Sequence, residues 1–287
     1  MNAVLYKTRI LMENVKFEHS IFALPFAYLG MVLAARGLPT LHQFVWITVA
    51  MISARTLAMS VNRLADWPED ARNPRTMRRP LPQGLLGGWE VAGFAVASLA
   101  ILTFAAWQLN TLALQLLPLA VVILVGYNFT KRFTWLCHFI LGLADGGAPF
   151  GGWIAVTGTL SWEPVLLCLA LGFWVGGFDL IYACQDVDFD RANGLYSVPA
   201  RFGIAVSLTQ ARIWHALTIL LLAAVGILSA LSWPYWLGLA VASALLAYEH
   251  SLVSPNDLSR LNMAFFNVNG YIAVIVFAAA AFSIYLA

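Results

Sequence analysis

The chain has 287 residues, of which 61% are hydrophobic and 10% are charged, and its mean hydropathy is +0.79. A soluble domain has roughly a quarter of its residues charged, so 16 Lys and Arg with 14 Asp and Glu cannot cover a soluble protein of this length. The composition excludes a disordered chain and a secreted disulfide scaffold, and it indicates lipid as the main solvent. A net charge of +2 attracts no polyanion, which excludes a nucleic-acid-binding protein.

Nine apolar stretches are long enough to be considered as membrane spans, since a spanning helix needs about 20 mostly apolar residues. They are residues 19–36, 41–61, 89–109, 111–128, 137–157, 163–184, 207–230, 233–248 and 264–286. The third and fourth are separated so closely that they predict a tight helical hairpin. The sequence therefore predicts an all-α integral membrane bundle of about nine transmembrane helices, formed by one domain over residues 1–287.

The basic residues are divided very unevenly between the two sides of this predicted bundle. The side that carries the N-terminus has fourteen of the 16 Lys and Arg, namely Lys7, Arg9, Lys16, Arg63, Arg72, Arg75, Arg78, Arg79, Lys131, Arg132, Arg191, Arg201, Arg212 and Arg260. By the positive-inside rule this side is cytoplasmic, which places the C-terminus outside. If the number of spans were wrong by one, the basic residues would fall on both sides of the membrane. Their segregation to one side therefore supports nine spans.

Two acidic motifs follow the second and the sixth span on the cytoplasmic side. In each motif, polar residues recur at intervals of four: Asn62, Asp66, Asp70 and Tyr182, Asp186, Asp190. A helix would place residues at this interval along one face. Pro68 is expected to distort or end the first helix between its two carboxylates.

This arrangement of charge suits a phosphorylated amphiphile. Facing carboxylates repel each other unless cations lie between them, and hard oxygen ligands suit Mg²⁺, which is commonly shared with substrate phosphates. Basic stretches at residues 72–81 and 127–132 supply donors for phosphate oxygens. If the tail is allylic, loss of diphosphate leaves a carbocation that aromatic faces stabilise and that a dry interior protects from water.

The motifs occur in a distinctive order: Asn62-x3-Asp66-x3-Asp70, Asn73-Pro-Arg-Thr76, Arg79-Pro-Leu81, Tyr127-x3-Lys131-Arg132 and Asp186-x3-Asp190. In this order the chain resembles the UbiA family of intramembrane aromatic prenyltransferases, and the resemblance extends from residue 16 to residue 260. It implies a nine-helix bundle whose cytoplasmic cap binds an isoprenyl diphosphate through Mg²⁺. The prenyl chain would then be joined to an aromatic acceptor.

The resemblance also implies roles for individual residues. The expected Mg²⁺-binding residues are Asn62, Asp66, Asp70, Asp186 and Asp190. The expected substrate-binding residues are Arg55, Arg63, Arg75, Tyr127, Lys131 and Arg132, and the resemblance puts Lys131 and Arg132 on the diphosphate. That Arg55, inside the second span, binds an acceptor carboxylate is a separate hypothesis. The expected catalytic residues are Asp179 and Tyr182, and Asp179 would orient the acceptor or accept its proton.

The terminal segments, including the pairs Glu18-His19 and Glu249-His250, most resemble bacterial members of the family that act on 4-hydroxybenzoate. This implies ubiquinone biosynthesis at the bacterial inner membrane, with the site on the cytoplasmic side and no obligate protein partner. A menaquinone-pathway enzyme with a futalosine-type acceptor is an alternative. A transporter or channel is the alternative of another class, because ionisable groups within membranes also mark ion paths.

Some residues have a less specific interpretation. Five glycines of the fifth span are expected to allow close helix packing or to leave room for a prenyl chain: Gly142, Gly146, Gly147, Gly151 and Gly152. Asp145 lies among them without an assigned role. Asp188 is expected to be solvated, and His42, His138 and His215 are expected to be boundary residues.

Overall fold

The computed structural model describes residues 3–16, 20–261 and 263–286, and the chain over these ranges is helical. The helices are α1 (Ala3–Asn14), α2 (Ser20–Ala35), α3 (Leu41–Ala65), α4 (Trp67–Asp70), α5 (Gly88–Leu109), α6 (Thr111–Thr130), α7 (Cys137–Thr157), α8 (Trp162–Ala183), α9 (Val187–Ala192), α10 (Val198–Phe202), α11 (Ile204–Leu228), α12 (Trp233–Ser251) and α13 (Asn269–Tyr285). A 3-10 turn, Cys184–Asp186, separates α8 from α9, and a π-helix, Met263–Val268, precedes α13. The all-α prediction is confirmed for the described residues.

Each of the nine predicted spans coincides with one long helix. By length and composition, six stretches of the described chain are able to cross a membrane: α3, α5, α6, α7, Trp162–Ala192 and α11. In α2 the apolar part Leu24–Ala35 is shorter, and α13 is also shorter. The predicted hairpin is confirmed, because only Asn110 separates α5 from α6, and its side-chain oxygen accepts a hydrogen bond from Ala113 N at 2.9 Å.

The long helices form a closed ring in which each helix packs against the next along the chain, and α13 packs back against α2. An additional contact between α2 and α7 crosses the ring. Glycine makes this crossing possible, since a Cβ atom at Gly152 would collide with the carbonyl oxygen of Ala27. A Cβ at Gly142 would collide in the same way with the carbonyl oxygen of Gly172 on α8. Close backbone approach at small residues is typical of helix packing in membranes.

The outer surface of the ring is apolar. Large hydrophobic side chains are exposed on helices all around it, including Trp107, Leu119, Val122, Ile227 and Leu237. A soluble monomer rarely exposes a continuous apolar surface of this extent. In lipid this exposure has no cost, and the helices satisfy their backbone hydrogen bonds internally, as a membrane requires.

A short N-terminal helix packs against the polar end of the bundle. Ile10 of α1 lies in a buried cluster with Leu81, Leu86 and Val91. Lys7 forms an ion pair with Glu90 at 3.0 Å. Helix α1 therefore belongs to the charged cap, a contribution that the sequence did not predict.

Candidate active site

The first acidic motif lies where α3 ends. Asp66 caps the C-terminus of α3, and Pro68 stands in the first turn of the separate four-residue helix α4. The prediction that Pro68 ends the helix between the carboxylates is confirmed, since proline cannot continue the ladder of α3. Asp66 and Asp70 are both buried, with 6% of each residue exposed.

Asp66 is paired with Lys131, which follows the last residue of α6. The Lys131 ammonium lies 2.9 Å from Asp66 Oδ2, and Asn62 Nδ2 donates to the same oxygen at 3.2 Å. The other oxygen, Oδ1, is buried without a hydrogen-bond partner among the described residues. Burial raises the pKa of the Asp66 carboxyl, although Lys131 opposes the rise. An additional cation at Oδ1 would stabilise the ionised form.

Asp70 is paired with Arg79, nine residues further along the chain. The Arg79 guanidinium donates to Asp70 Oδ2 at 2.6 Å. The Thr76 hydroxyl donates to the backbone oxygen of Asp70 at 3.2 Å, which fixes the loop that carries Arg79. The basic stretch after the first motif therefore folds back onto that motif.

The second motif meets the same basic loop through Arg75. Arg75 donates to both oxygens of Asp186, from Nε at 3.0 Å and from Nη2 at 2.6 Å. Its Nη1 donates to the Tyr182 hydroxyl at 3.2 Å, and its guanidinium lies 5.4 Å from the centre of the Tyr182 ring. Burial lowers the pKa of Arg75, but Asp186 outweighs this and the net pKa is raised. The basic loop thus joins the two motifs, through Arg79 to Asp70 and through Arg75 to Asp186.

Asp190 stands on α9 rather than on a continuation of α8, because the 3-10 turn interrupts the helix at Asp186. Its Oδ2 accepts a hydrogen bond from the Ser197 hydroxyl at 2.8 Å. Asp188, on another face of α9, is exposed, which confirms the prediction that it is solvated.

Two predicted substrate-binding arginines contact the protein itself. Arg63 is buried, and its guanidinium donates to the Asn14 carbonyl at 2.8 Å and to Asn62 Oδ1 at 3.2 Å. Arg132 donates to the carbonyl of Ala65 and lies 3.4 Å from Glu69 Oε2. In this arrangement Arg63 orients Asn62, and Arg132 stabilises the end of α3.

Asp179 is bonded to a histidine that the sequence interpretation placed at a boundary. His138 Nδ1 lies 2.6 Å from Asp179 Oδ2, and only 3% of His138 is exposed. His215 is also buried, and its Nδ1 lies 3.0 Å from His250 Nε2. The boundary prediction is therefore wrong for His215, which lies in the middle of α11, whereas His138 lies in the first turn of α7 as predicted. Polar partners on neighbouring elements contact both buried rings. His19 lies outside the described residues.

An apolar cavity of about 440 Å³ lies below the charged cap, bordered by residues of α2, α3, α5, α6, α7 and α8. This volume is within the range of small-molecule sites. Along α6 the wall runs from Tyr127 to Ala113, fourteen residues or roughly 21 Å at 1.5 Å per residue. Tyr127 stands about one turn before Lys131, so the cavity begins close to the Asp66–Lys131 pair.

The five glycines of α7 divide between two faces. A Cβ atom at Gly142, Gly146 or Gly152 would collide with backbone of a neighbouring helix. At Gly147 and Gly151 it would meet nothing within 4 Å, and both residues line the cavity. Close helix packing is therefore confirmed for Gly142, Gly146 and Gly152, of which Gly152 also borders the cavity. Gly147 and Gly151 face open space, and its use by a prenyl chain stays a prediction.

Polar side chains occur at the end of the cavity that faces the cap. Arg55, Tyr127 and Asp145 line this end, and Arg55 is close enough to the other two to interact electrostatically. Arg55 Nε is buried and has no hydrogen-bond partner in the described part of the chain. This places the predicted Arg55 and Tyr127 together and adds Asp145, whose role the sequence left open.

The donor set of the cap suits a magnesium ion that shares its ligands with a phosphate. Within the described ranges, no three His, Cys, Asp or Glu side chains converge on one metal position. Mg²⁺ needs only one or two carboxylates when substrate phosphates complete its octahedron. The unpartnered Asp66 Oδ1 would be available as such a ligand. Lys131, Arg75 and Arg79, now on the carboxylates, are the donors that a diphosphate would engage.

Comparisons with known proteins identify the family and agree with the fold. The model of the UbiA prenyltransferase family matches residues 23–284. A 4-hydroxybenzoate octaprenyltransferase from Cupriavidus necator is 34% identical over 255 residues, which cover 88% of each chain. The structure of a UbiA homolog from Aeropyrum pernix K1 without ligand is 34% identical and has a TM-score of 0.84, covering 92% of this chain and 97% of that one. A UbiA homolog from Archaeoglobus fulgidus, bound to DMAPP and Mg²⁺, shares the fold at 21% identity and a TM-score of 0.68, covering 94% and 99%.

An apolar helical bundle with one charged cap is the architecture of an integral membrane protein. The chain belongs to the UbiA prenyltransferase family and is a polyprenyltransferase. The resemblance drawn from the motif order is thereby confirmed.

Several residues at the site carried no assigned role in the sequence interpretation. Arg79, His138 and Ser197 each bind one of the acidic residues. Arg79 stands within the motif Arg79-Pro-Leu81, so the sequence did mark it as a candidate site residue. Neither His138 nor Ser197 has a distinguishing spacing, so only their tertiary contacts identify them.

Proposed function

We propose that the enzyme transfers a polyprenyl group from an isoprenyl diphosphate to 4-hydroxybenzoate, with Mg²⁺, in ubiquinone biosynthesis. The observation that carries the proposal is the pairing of acidic and basic groups at the opening of the apolar cavity. Asp66, Asp70 and Asp186 each hold a Lys or Arg at 2.6 to 2.9 Å. The names of the relatives and the metal and prenyl diphosphate bound by the Archaeoglobus fulgidus homolog support the same chemistry.

The cap binds the diphosphate in this proposal. Asn62, Asp66, Asp70, Asp186 and Asp190 hold Mg²⁺, which when bound neutralises the leaving diphosphate. Lys131, Arg75 and Arg79 exchange their carboxylate partners for phosphate oxygens. Tyr182 fixes the guanidinium of Arg75 through its hydroxyl and its ring.

The prenyl chain occupies the apolar cavity and the acceptor occupies its polar end. Departure of diphosphate leaves an allylic cation at the first prenyl carbon, next to Tyr127, whose ring stabilises positive charge. The cavity walls exclude water, which would otherwise capture the cation. Arg55 binds the acceptor carboxylate, and Asp179 accepts the proton that the ring releases.

We also propose that the nine long helices are all transmembrane, with the N-terminus and the cap in the bacterial cytoplasm and the C-terminus outside. The cap lies at the ends of α3, α6 and α8, where the basic residues are concentrated. A menaquinone-pathway acceptor remains the second candidate, since a futalosine-type acceptor also offers an aromatic ring.

Transport is less well supported than catalysis. Of the described residues that line the cavity, Arg55 and Asp145 are the charged ones, and both lie in the half of the cavity that is nearer the cap. The remaining wall is apolar, so an ion crossing the membrane here would have to lose its hydration without replacement ligands.

One assay tests the proposed function. Purified protein in liposomes is incubated with labelled prenyl diphosphates and a panel of acceptors, with Mg²⁺ or with EDTA. We expect labelled prenylated 4-hydroxybenzoate with Mg²⁺ and a loss of product with EDTA. Absence of product from every acceptor, with folded protein, would contradict prenyl transfer, and product formed equally in EDTA would contradict the metal site.

Replacing Arg55 with Ala is expected to discriminate between acceptors. The variant loses the donor to the acceptor carboxylate, so kcat/KM for 4-hydroxybenzoate should fall by about 10- to 100-fold. For the methyl ester of the same acceptor the change should stay within about threefold, because the ester carries no charge for Arg55 to bind. An equal loss for both acceptors would contradict this role.

Substitution of Gly151 by Leu is expected to shorten the prenyl chain that the enzyme accepts. Gly151 lines the cavity fourteen residues into α7, roughly 21 Å from its first residue, and the added side chain fills open space. The ratio of kcat/KM for a long prenyl diphosphate to that for a short one should decrease about tenfold, a packing effect of about 1 to 3 kcal/mol. Gly142→Ala is the control: Gly142 is outside the lining of the cavity and its Cβ would collide with the carbonyl oxygen of Gly172, so this variant should lower the thermal midpoint without changing that ratio.

A further inference from the structure

His138 is the only described histidine that contacts a predicted catalytic residue, and both of its ring nitrogens are engaged. Nδ1 lies 2.6 Å from Asp179 Oδ2, and Nε2 accepts a hydrogen bond from the backbone N–H of Val198 at 3.3 Å. The ring is buried near the start of α7. It therefore bridges α8 and the first residue of α10.

These two contacts determine where the imidazole hydrogen lies. A backbone N–H can only donate, so Nε2 of His138 presents its lone pair to Val198 and carries no hydrogen. The hydrogen is consequently on Nδ1, which donates it to Asp179 Oδ2. The second oxygen, Asp179 Oδ1, accepts no hydrogen bond from the described residues, and 23% of the side chain is exposed.

The segment Tyr196–Val198, here called the strap, connects this pair with the diphosphate site. Tyr196 N donates to the carbonyl of Lys131 at 2.7 Å, and the Ser197 hydroxyl donates to Asp190 at 2.8 Å. Val198 N holds His138. Three consecutive residues of the strap thus hold three groups of the site. Tyr196 holds the backbone of Lys131, Ser197 holds the Asp190 carboxylate, and Val198 holds the His138 ring.

Asp179 lies between the two parts of the site. It interacts electrostatically with Asp145, which lines the polar end of the cavity. It also stands three residues before Tyr182 on α8, so both side chains lie on a similar face of the helix. Asp179 therefore stands one turn of α8 further from the cap than Tyr182 and close enough to Asp145 for the two charges to interact.

We propose that His138 is a positioning residue that, held by the strap, aims Asp179 Oδ1 at the acceptor ring. This inference rests on the proposed function. The prenyl C–O bond breaks and diphosphate leaves with its electron pair, and the ring carbon supplies the electrons of the new C–C bond. The C–H bond at that carbon then returns its electrons to the ring, and its proton passes to Asp179 Oδ1 and later to water. His138 holds Oδ2 throughout and does not itself exchange a proton.

Two matched substitutions of His138 separate its two hydrogen bonds. In His138→Asn the amide nitrogen takes the place of Nδ1 and still donates to Asp179. In His138→Gln the amide oxygen takes the place of Nε2 and accepts from Val198, but Asp179 loses its donor. We expect kcat of the Gln variant to fall by about 10- to 100-fold, with KM for both substrates within about threefold, and kcat of the Asn variant to stay within about threefold.

A kinetic isotope effect distinguishes positioning from a general structural role. With the acceptor deuterated at the carbon that is prenylated, wild type and His138→Asn should show little effect. His138→Gln and Asp179→Asn should show a clear primary effect, because proton removal becomes slow in both. The double variant His138→Gln/Asp179→Asn should be no slower than Asp179→Asn, as expected for residues that act as one unit.

Full activity of His138→Gln, or equal loss in the Gln and Asn variants with a wild-type isotope effect, would overturn the inference. If the Gln variant does not fold by size-exclusion chromatography in detergent, the inference still requires active His138→Asn and an isotope effect in Asp179→Asn. A wild-type enzyme without product would instead contradict the proposed function. Ser197→Ala should alter mainly KM for the prenyl diphosphate, because Ser197 binds Asp190.

Discussion

Replacing Asp186 with Asn is expected to lower prenyl transfer by about 10²- to 10³-fold, the cost of removing one preorganised charged partner at a reacting site. Asn keeps the shape of the side chain but removes the charge that holds Arg75 at 2.6 Å and that would bind Mg²⁺. The measurement is the rate of labelled product formation at saturating Mg²⁺. The elution volume in detergent should be unchanged, since the substitution preserves volume.

Asp188→Asn is the matched control for this substitution. Asp188 is two residues away on an exposed face of α9, so its neutralisation alters the charge of the cap without touching the paired groups. We expect activity within about threefold of wild type, because exposed charges contribute little. Equal losses at positions 186 and 188 would show that the cap acts through total charge, and the specific role of Asp186 would be wrong.

Lys131→Met is expected to lower kcat/KM for the prenyl diphosphate by about 10²- to 10³-fold. Met has a similar length but no charge, so the substitution removes a phosphate ligand and leaves Asp66 buried without its cation at 2.9 Å. The loss should appear in kcat/KM for the prenyl diphosphate, with KM for the acceptor unchanged. The apparent affinity for Mg²⁺ should increase or stay equal, because Asp66 no longer has a competing ammonium.

Lys7→Met serves as the control on the same side of the membrane. Lys7 also forms an ion pair, with Glu90 at 3.0 Å, but its side chain is 46% exposed and lies on α1. We expect little change in kcat/KM, since an exposed ion pair is screened by solvent and contributes little. A loss at Lys7 as large as at Lys131 would contradict a local contact between Lys131 and the diphosphate.

Much of the candidate site followed from short-range patterns. The interval of four placed Asp66 and Asp70 near one helix end, and Pro68 marked where α3 stops. Tyr127 and Lys131 are one turn apart, so the helical period alone placed them on one face at the end of the fourth span. These relations depend on neighbours along one helix, which the backbone period fixes.

Contacts between residues that are far apart along the chain could not be predicted in this way. Arg75 reaches Asp186 across 111 positions, and His138 reaches Asp179 across 41. A helical period gives the face on which a side chain lies, but not the rotation of that helix against its neighbour. The same limitation explains why the glycines of α7 could not be assigned to packing or to the cavity before the faces were known.

The sequence by itself determined that the chain is helical and apolar, that its charge is concentrated on one side, and that it belongs to a family with two acidic motifs. Composition and period determine these properties because each depends on single residues or on one helix. Only the tertiary structure decided which basic residue pairs with which acidic residue. It also showed that Asp145 and Arg55 line the same cavity and that the strap holds His138 against Asp179. These depend on side chains from separate helices meeting at hydrogen-bond distance, which the packing of the closed ring alone fixes.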